Sequence, residues 1–292
     1  MAKLVVFAVS AASVLAMMVG CESETDEEQA VFLGKREVWD YAPAMRGVAR
    51  KFSGTEGVVL HLGDSITFAA PYTAWARHGR GKTAEDDAIL RWSHCGEEND
   101  LDGWYLAHHE LGDHWSHTAA GGVRADQFLA GGYAGLPSLD GIIERYNPQV
   151  AIVMLGTNDA WQGRPVNAYA WDMERIVAAL LANGTVVIVS TIPPMAPARE
   201  LADEYNEELW RLAERRKLPV IDYHGEILAR RPDGSWDGTL LNEGDPHPTA
   251  NRAGVAPESE PTPENLRESG YLLRGWLSLK KLAEVKQRVW GD

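Results

Sequence analysis

Val58-Val59-Leu60-His61-Leu62-Gly63-Asp64-Ser65-Ile66-Thr67 is the stretch on which the fold turns. A short, mostly apolar run that stops at Gly-Asp-Ser suits a strand buried on both faces and feeding a tight turn. Residues 149–155 (Gln-Val-Ala-Ile-Val-Met-Leu) and 185–190 (Thr-Val-Val-Ile-Val-Ser) read the same way, and 219–222 is a shorter copy. Helical stretches at about 165–182 and 198–216 lie between them, the first closed by Asn183-Gly184 as a C-terminal cap signal. This alternation predicts the α/β class: a parallel sheet between two helix layers, a three-layer α/β/α sandwich with right-handed crossovers. Further out, 36–52 is expected to be an edge helix with Val38, Tyr41, Met45 and Val48 on one face, interrupted at Pro43. A last helix over 264–288 carries Leu272, Leu273, Trp276, Leu279 and Leu282 at helical spacing. Ligands of such sheets sit beyond the carboxyl ends of the strands. Ser65 and Asn158 both fall at such ends, so they can converge although distant in sequence.

The 292 residues are 45% hydrophobic and 24% charged, an ordinary globular composition able to bury a full core. A net charge of −14 argues against a protein that works by neutralising phosphates, so nucleic acid is not an expected partner. Two segments are too long for plain connections, at about 68–120 and 249–263. The first is rich in Trp and His (Trp75, His78, Trp92, His94, Trp104, His108, His109, His114, Trp115 and His117) and is expected to be an ordered, substrate-facing insertion. Its Trp residues have two readings, as core or as platforms for sugar rings. A metal reading would use His94, Cys95, His108, His109, Asp113, His114 and His117, but their spacing lacks the paired pattern of a structural zinc site. No metal is expected.

At the N-terminus, Lys3 precedes an apolar run from Leu4 to Val19, the pattern of a signal peptide, here assigned to residues 1–20. The run ends in Met18-Val19-Gly20-Cys21, which resembles a bacterial lipobox and makes Cys21 the expected lipidation site. Residues 21–33, acidic from Glu22 to Glu28, are read as a lipidated, solvated tether, and 34–292 as a single catalytic domain. The expected location is outside the cytoplasm, periplasmic or at the cell surface, held to a bacterial membrane by lipid alone. Cys95 then has no intrachain partner, and no structural disulfide is expected.

Gly63-Asp64-Ser65-Ile66-Thr67 after a strand resembles the first block of the SGNH (GDSL) hydrolases, in which that Ser is the nucleophile. Gly156-Thr157-Asn158-Asp159 after the next long strand is similar to the block whose Asn donates to an oxyanion. Between them, Ala120-Gly121-Gly122-Val123-Arg124 resembles the block whose Gly supplies a backbone donor, with Gly122 favoured over Gly121 and Ala120 standing where the family usually has Asn. Asp245-Pro246-His247-Pro248-Thr249 is close to the family's Asp-x-x-His-Pro, with one residue fewer between acid and base. Gly270-Tyr271 also resembles the family's end. The resemblance implies a flavodoxin-like SGNH hydrolase fold and a triad of Ser65, His247 and Asp245, with Asp237 and Glu243 also near enough in sequence to supply the acid. It implies an oxyanion hole from Ser65, Gly122 and Asn158 and a reaction that needs no cofactor.

His247 would take the Ser65 proton, Ser65 would attack the ester carbonyl, and water would later free the acyl group. The expected substrate is a small acyl ester, acetyl above all, on carbohydrate. Two alternatives stand beside it: a lipase or lysophospholipase type of acylhydrolase, and a noncatalytic surface lipoprotein that binds glycans in the same cleft.

Overall fold

The computed structural model of the chain describes residues 38–111 and 115–291. The signal peptide, Cys21 and the tether lie outside the described residues, as do Asp113 and His114. Four parallel strands stand in the order β1 (Val59–Gly63), β2 (Val150–Met154), β3 (Val186–Ser190) and β4 (Val220–Ile221). Val59 sits opposite Val150, and Val150 opposite Val186, so the apolar runs align across the sheet. Every residue of these strands is buried, as expected of a parallel sheet covered on both faces. On the outer side of β1, the Gly63 amide donates to Thr118 O (3.1 Å) and the Ala120 amide to Gly63 O (3.2 Å). Counting that rudiment as the second strand in sequence, the spatial order is 2-1-3-4-5, the flavodoxin-like order.

The helices form two layers. Gly270–Trp290 packs against Ala42–Ala49, Ala70–His78 and Ala84–Trp92, whereas Val166–Asn183 packs against Ala125–Ala130, Leu139–Tyr146 and Arg199–Arg216. Gly184 ends the 166–183 helix at φ 90°, a left-handed cap that glycine adopts without a Cβ clash.

Three expectations need correction. The first helix runs only from Ala42 to Ala49 because Pro43, which lacks an amide hydrogen, fits its first turn and not its interior; Val38 precedes it and is 83% exposed. The last helix starts at Gly270, because Asn265–Arg267 forms a separate 3-10 turn and the Ser269 hydroxyl accepts from Leu272 N to cap the new start. The 68–120 insertion is no long loop but carries the helices Ala70–His78, Ala84–Trp92 and Gly103–Leu106. Trp75 and Trp104 are wholly buried there and belong to the core, with the Trp104 ring 4.2 Å from that of His61.

Candidate active site

The turn after β1 is set by Asp64 and Gly63. Asp64 is fully buried and caps the helix Ser65–Phe68, its Oδ1 accepting from the Ile66 amide at 3.0 Å. A Cβ on Gly63 would come within 2.2 Å of Thr67 Oγ1 and 2.7 Å of Met154 O, so only glycine lets β1, β2 and this helix meet. Ser65 is thereby held at the helix N-terminus, half-buried, at the carboxyl end of the strand.

His247 arrives from 182 residues away, and its Nε2 lies 2.8 Å from Ser65 Oγ. Its segment is anchored by backbone bonds from Asn242 N to His247 O (3.0 Å) and from Thr249 N to Leu240 O (2.9 Å). Asp245 Oδ1 is 2.5 Å from His247 Nδ1 and also accepts the His247 backbone amide at 2.7 Å. The two side chains meet through a tight turn in which a carboxylate bonds the amide two residues on. The carboxylate fixes the proton on Nδ1 and leaves Nε2 to accept from Ser65. Asp237 lies elsewhere: its Oδ1 accepts from Gly244 N (2.8 Å) and shapes the loop. Glu243 is exposed.

Asn158 begins beyond β2. Gly156 has φ 123°, and a Cβ there would press within 3.1 Å of the Tyr169 ring, so glycine is required at this turn. Asn158 Nδ2 donates to Val123 O (3.1 Å) and, at a long 3.4 Å, to Asp64 Oδ2, which ties all three motif segments together. Gly122 adopts φ 82°, with the Tyr133 hydroxyl packed where a Cβ would be, whereas Gly121 lies under Trp115.

Two contributors were missed by sequence reasoning. Asp159, fully buried, accepts from the Ala125 amide (3.0 Å) and from Arg164 (2.8 Å), locking the Asn158 turn to the segment after Gly122. Burial raises the Asp159 carboxyl above its usual range, opposed by the Ala125 amide and Arg164. Arg274, 2% exposed, donates to Ile66 O (2.5 Å) and Thr67 Oγ1 (2.7 Å) and lies 3.8 Å over the Tyr72 ring. Burial likewise raises Asp64, with the Ile66 amide, Arg274 and His247 pulling it back. The available signal was a lone cation, Arg274, inside the apolar run Leu272-Leu273-Arg274-Gly275-Trp276-Leu277, since a charge on a buried helix face must have a partner.

The insertion's histidines disperse. His94 bonds Glu97 and Glu56 O, His108 bonds Arg77, His109 lies over Tyr105, and His117 bonds Tyr146. Burial pushes the free Cys95 thiol up to about 12. Among the described residues no three His, Cys, Asp or Glu side chains are grouped to hold a metal ion.

Residues 61–251 match the family model described as GDSL-like Lipase/Acylhydrolase family. A search of curated proteins returned no match. Among solved structures, the chain is similar to a carbohydrate esterase family 3 protein from Talaromyces cellulolyticus, at 18% identity and TM-score 0.50 over 79% of this chain and 98% of that one. It is also similar to a GDSL-like lipase from Bacteroides thetaiotaomicron (15% identity, TM-score 0.45, 84% and 99% covered) and to the acetyl xylan esterase AlAXEase (17%, 0.44, 65% and 91%). The Talaromyces likeness speaks for a shared fold.

Proposed function

Because the chain belongs to the GDSL-like lipase/acylhydrolase family, and is on that account a carboxylic ester hydrolase, we propose that it works through an acyl-enzyme on Ser65 and removes acetyl or other small acyl groups from carbohydrate. The observation that carries the mechanism is the hydrogen-bonded line from Ser65 Oγ through His247 to Asp245, at 2.8 and 2.5 Å. His247 Nε2 accepts the hydroxyl proton as Oγ attacks the carbonyl carbon, and Asp245 stabilises the imidazolium. The protonated ring then hands the proton to the departing alkoxide. Water, deprotonated by the same nitrogen, cleaves the acyl-enzyme and frees a carboxylate.

The developing oxyanion is taken by the amides of Ser65 and Gly122 and by Asn158 Nδ2. The Asn158 contact to Asp64 is long, so that N–H is the one a stronger acceptor would capture. The carbohydrate reading rests on the 68–120 insertion, whose Trp, His and charged residues offer no uninterrupted aliphatic stretch for an acyl chain, and it agrees with the name of the Talaromyces neighbour. We further propose export and lipid anchoring through Cys21.

Fluorophosphonate labelling tests the mechanism. The wild-type chain should be labelled, and Ser65→Ala should be neither labelled nor active while keeping its melting temperature, because the change removes one hydroxyl. Labelling that survives Ser65→Ala would remove the nucleophile assignment. Acetate release from a panel of acetylated polysaccharides, set against long-chain p-nitrophenyl esters, tests the substrate; a preference for the long chains would favour the lipase alternative.

A further inference from the structure

The Trp- and His-rich insertion serves two ends. Trp75 and Trp104 build the core, whereas Arg77, His78 and His108 line a cavity of about 280 Å3. The facing wall, Asn251 and Glu258, belongs to the segment that follows His247, and the floor begins at Ala70, on the helix that follows the Ser65–Phe68 turn. The cavity is thus framed by the chain just after the nucleophile and just after the base.

Arg77 is held as a fixed donor. Its side chain is only 8% exposed, one terminal nitrogen donates to His108 Nε2 at 2.8 Å, the other pairs with Glu98, and the guanidinium lies 5.5 Å over the Tyr105 ring. Its Nε–H is buried without a hydrogen-bond partner. An unpaired buried donor is costly, and a role in folding alone does not explain it. Because His108 Nε2 accepts from Arg77, the ring is neutral with its proton on Nδ1. Burial, then the Arg77 charge, lowers its pKa in the same sense.

One cavity therefore presents a cation, an amide and a carboxylate beside a floor of Ala70, Pro71 and Ala74. Hydroxyl groups donate and accept at once, and a pyranose pairs them with apolar C–H faces. An acyl chain would instead lose contact with water against charged groups. The volume, just below the roughly 300 Å3 at which ligand pockets usually start, suits one ring.

We propose that this cavity is the subsite for the neutral sugar ring that carries the ester, its hydroxyls held by Arg77, His108, Asn251 and Glu258 while the acyl carbonyl lies at Ser65. The assignment rests on the carbohydrate reading above. The test measures acetate release from mono-O-acetylated methyl glycosides and from p-nitrophenyl acetate for wild type, Asn251→Ala, Glu258→Gln and Arg77→Lys. The ratio of kcat/KM for glycoside over aryl ester should fall by about tenfold or more in Glu258→Gln and Arg77→Lys, the scale of one disrupted charge-assisted hydrogen bond, and by roughly threefold to tenfold in Asn251→Ala, which removes a neutral one, in each case mainly through KM. Asn251 is exposed, so its variant reads the subsite even where a change at buried Arg77 disturbs folding. If the wild type hydrolyses acetylated glycosides and Asn251→Ala leaves the ratio unchanged, the subsite is wrong and the carbohydrate reading stands. If the wild type hydrolyses p-nitrophenyl acetate and no acetylated glycoside, the carbohydrate reading fails and the proposed ligand fails with it.

Discussion

At residue scale, the proposed acid Asp245 stands one residue nearer its histidine than the family's spacing and still reaches the ring. Asp245 touches His247 twice, whereas Asp237 holds only the Gly244 amide. Asp245→Asn should therefore lower kcat by orders of magnitude, up to the roughly ten-thousandfold loss of a serine-protease triad. Asp237→Asn should lower the melting temperature and spare kcat, and Glu243→Gln should change neither. A large kcat loss in Asp237→Asn with normal turnover in Asp245→Asn would reassign the acid. Ser65, Asn158 and His247 were legible because each stands in a motif whose residue types are themselves chemical. Asp159 stood in a quoted motif without a role, because a buried carboxylate's work depends on which distant amide it meets, here that of Ala125. No spacing in a sequence reports that.

At the scale of elements, Arg274 joins the last helix to the carbonyl end of the Ser65–Phe68 turn. Arg274→Ala should destabilise the fold by on the order of 3 kcal/mol, because it strands a buried carbonyl and leaves Asp64 without its cation. Arg274→Lys should recover only part of that, since an ammonium cannot reproduce the forked geometry. Urea unfolding checks both, and an unchanged midpoint in Arg274→Ala would refute the clamp. A second element-level effect lies in β1. Tyr72 Oη donates to Ser278 Oγ, which donates to Arg274 O, so His61 Nδ1 must donate to Tyr72. Burial, reinforced by Arg274, lowers His61 from 6.5 to about 3. Between those values the unfolded chain binds a proton that the folded chain refuses, so stability falls as pH drops below about 6.5, by up to about 1.4 kcal/mol per unit. His61→Gln should flatten that slope between pH 7 and 5; identical slopes would exclude His61. Strands were legible because runs buried on both faces have no polar alternation to blur them. The insertion was not, because Trp75 and Trp104 sit among polar neighbours and become core only through packing on the last helix and β1.

At the scale of the molecule, no helix among the described residues is long and apolar enough to cross a membrane. The proposed anchoring rests on the lipobox-like Cys21, and Cys21→Ser should move the protein from the membrane to the soluble fraction; a wild-type protein already soluble after export would sink the proposal. Ser65 and His247 stand 182 residues apart, and the clamp on the nucleophile's turn comes later still, from Arg274. A ribosome releases its product N-terminus first. A nascent or threading chain thus holds a hydroxyl with no imidazole to activate it, and it stays harmless to cellular esters until its final helix has closed over the first strand's turn.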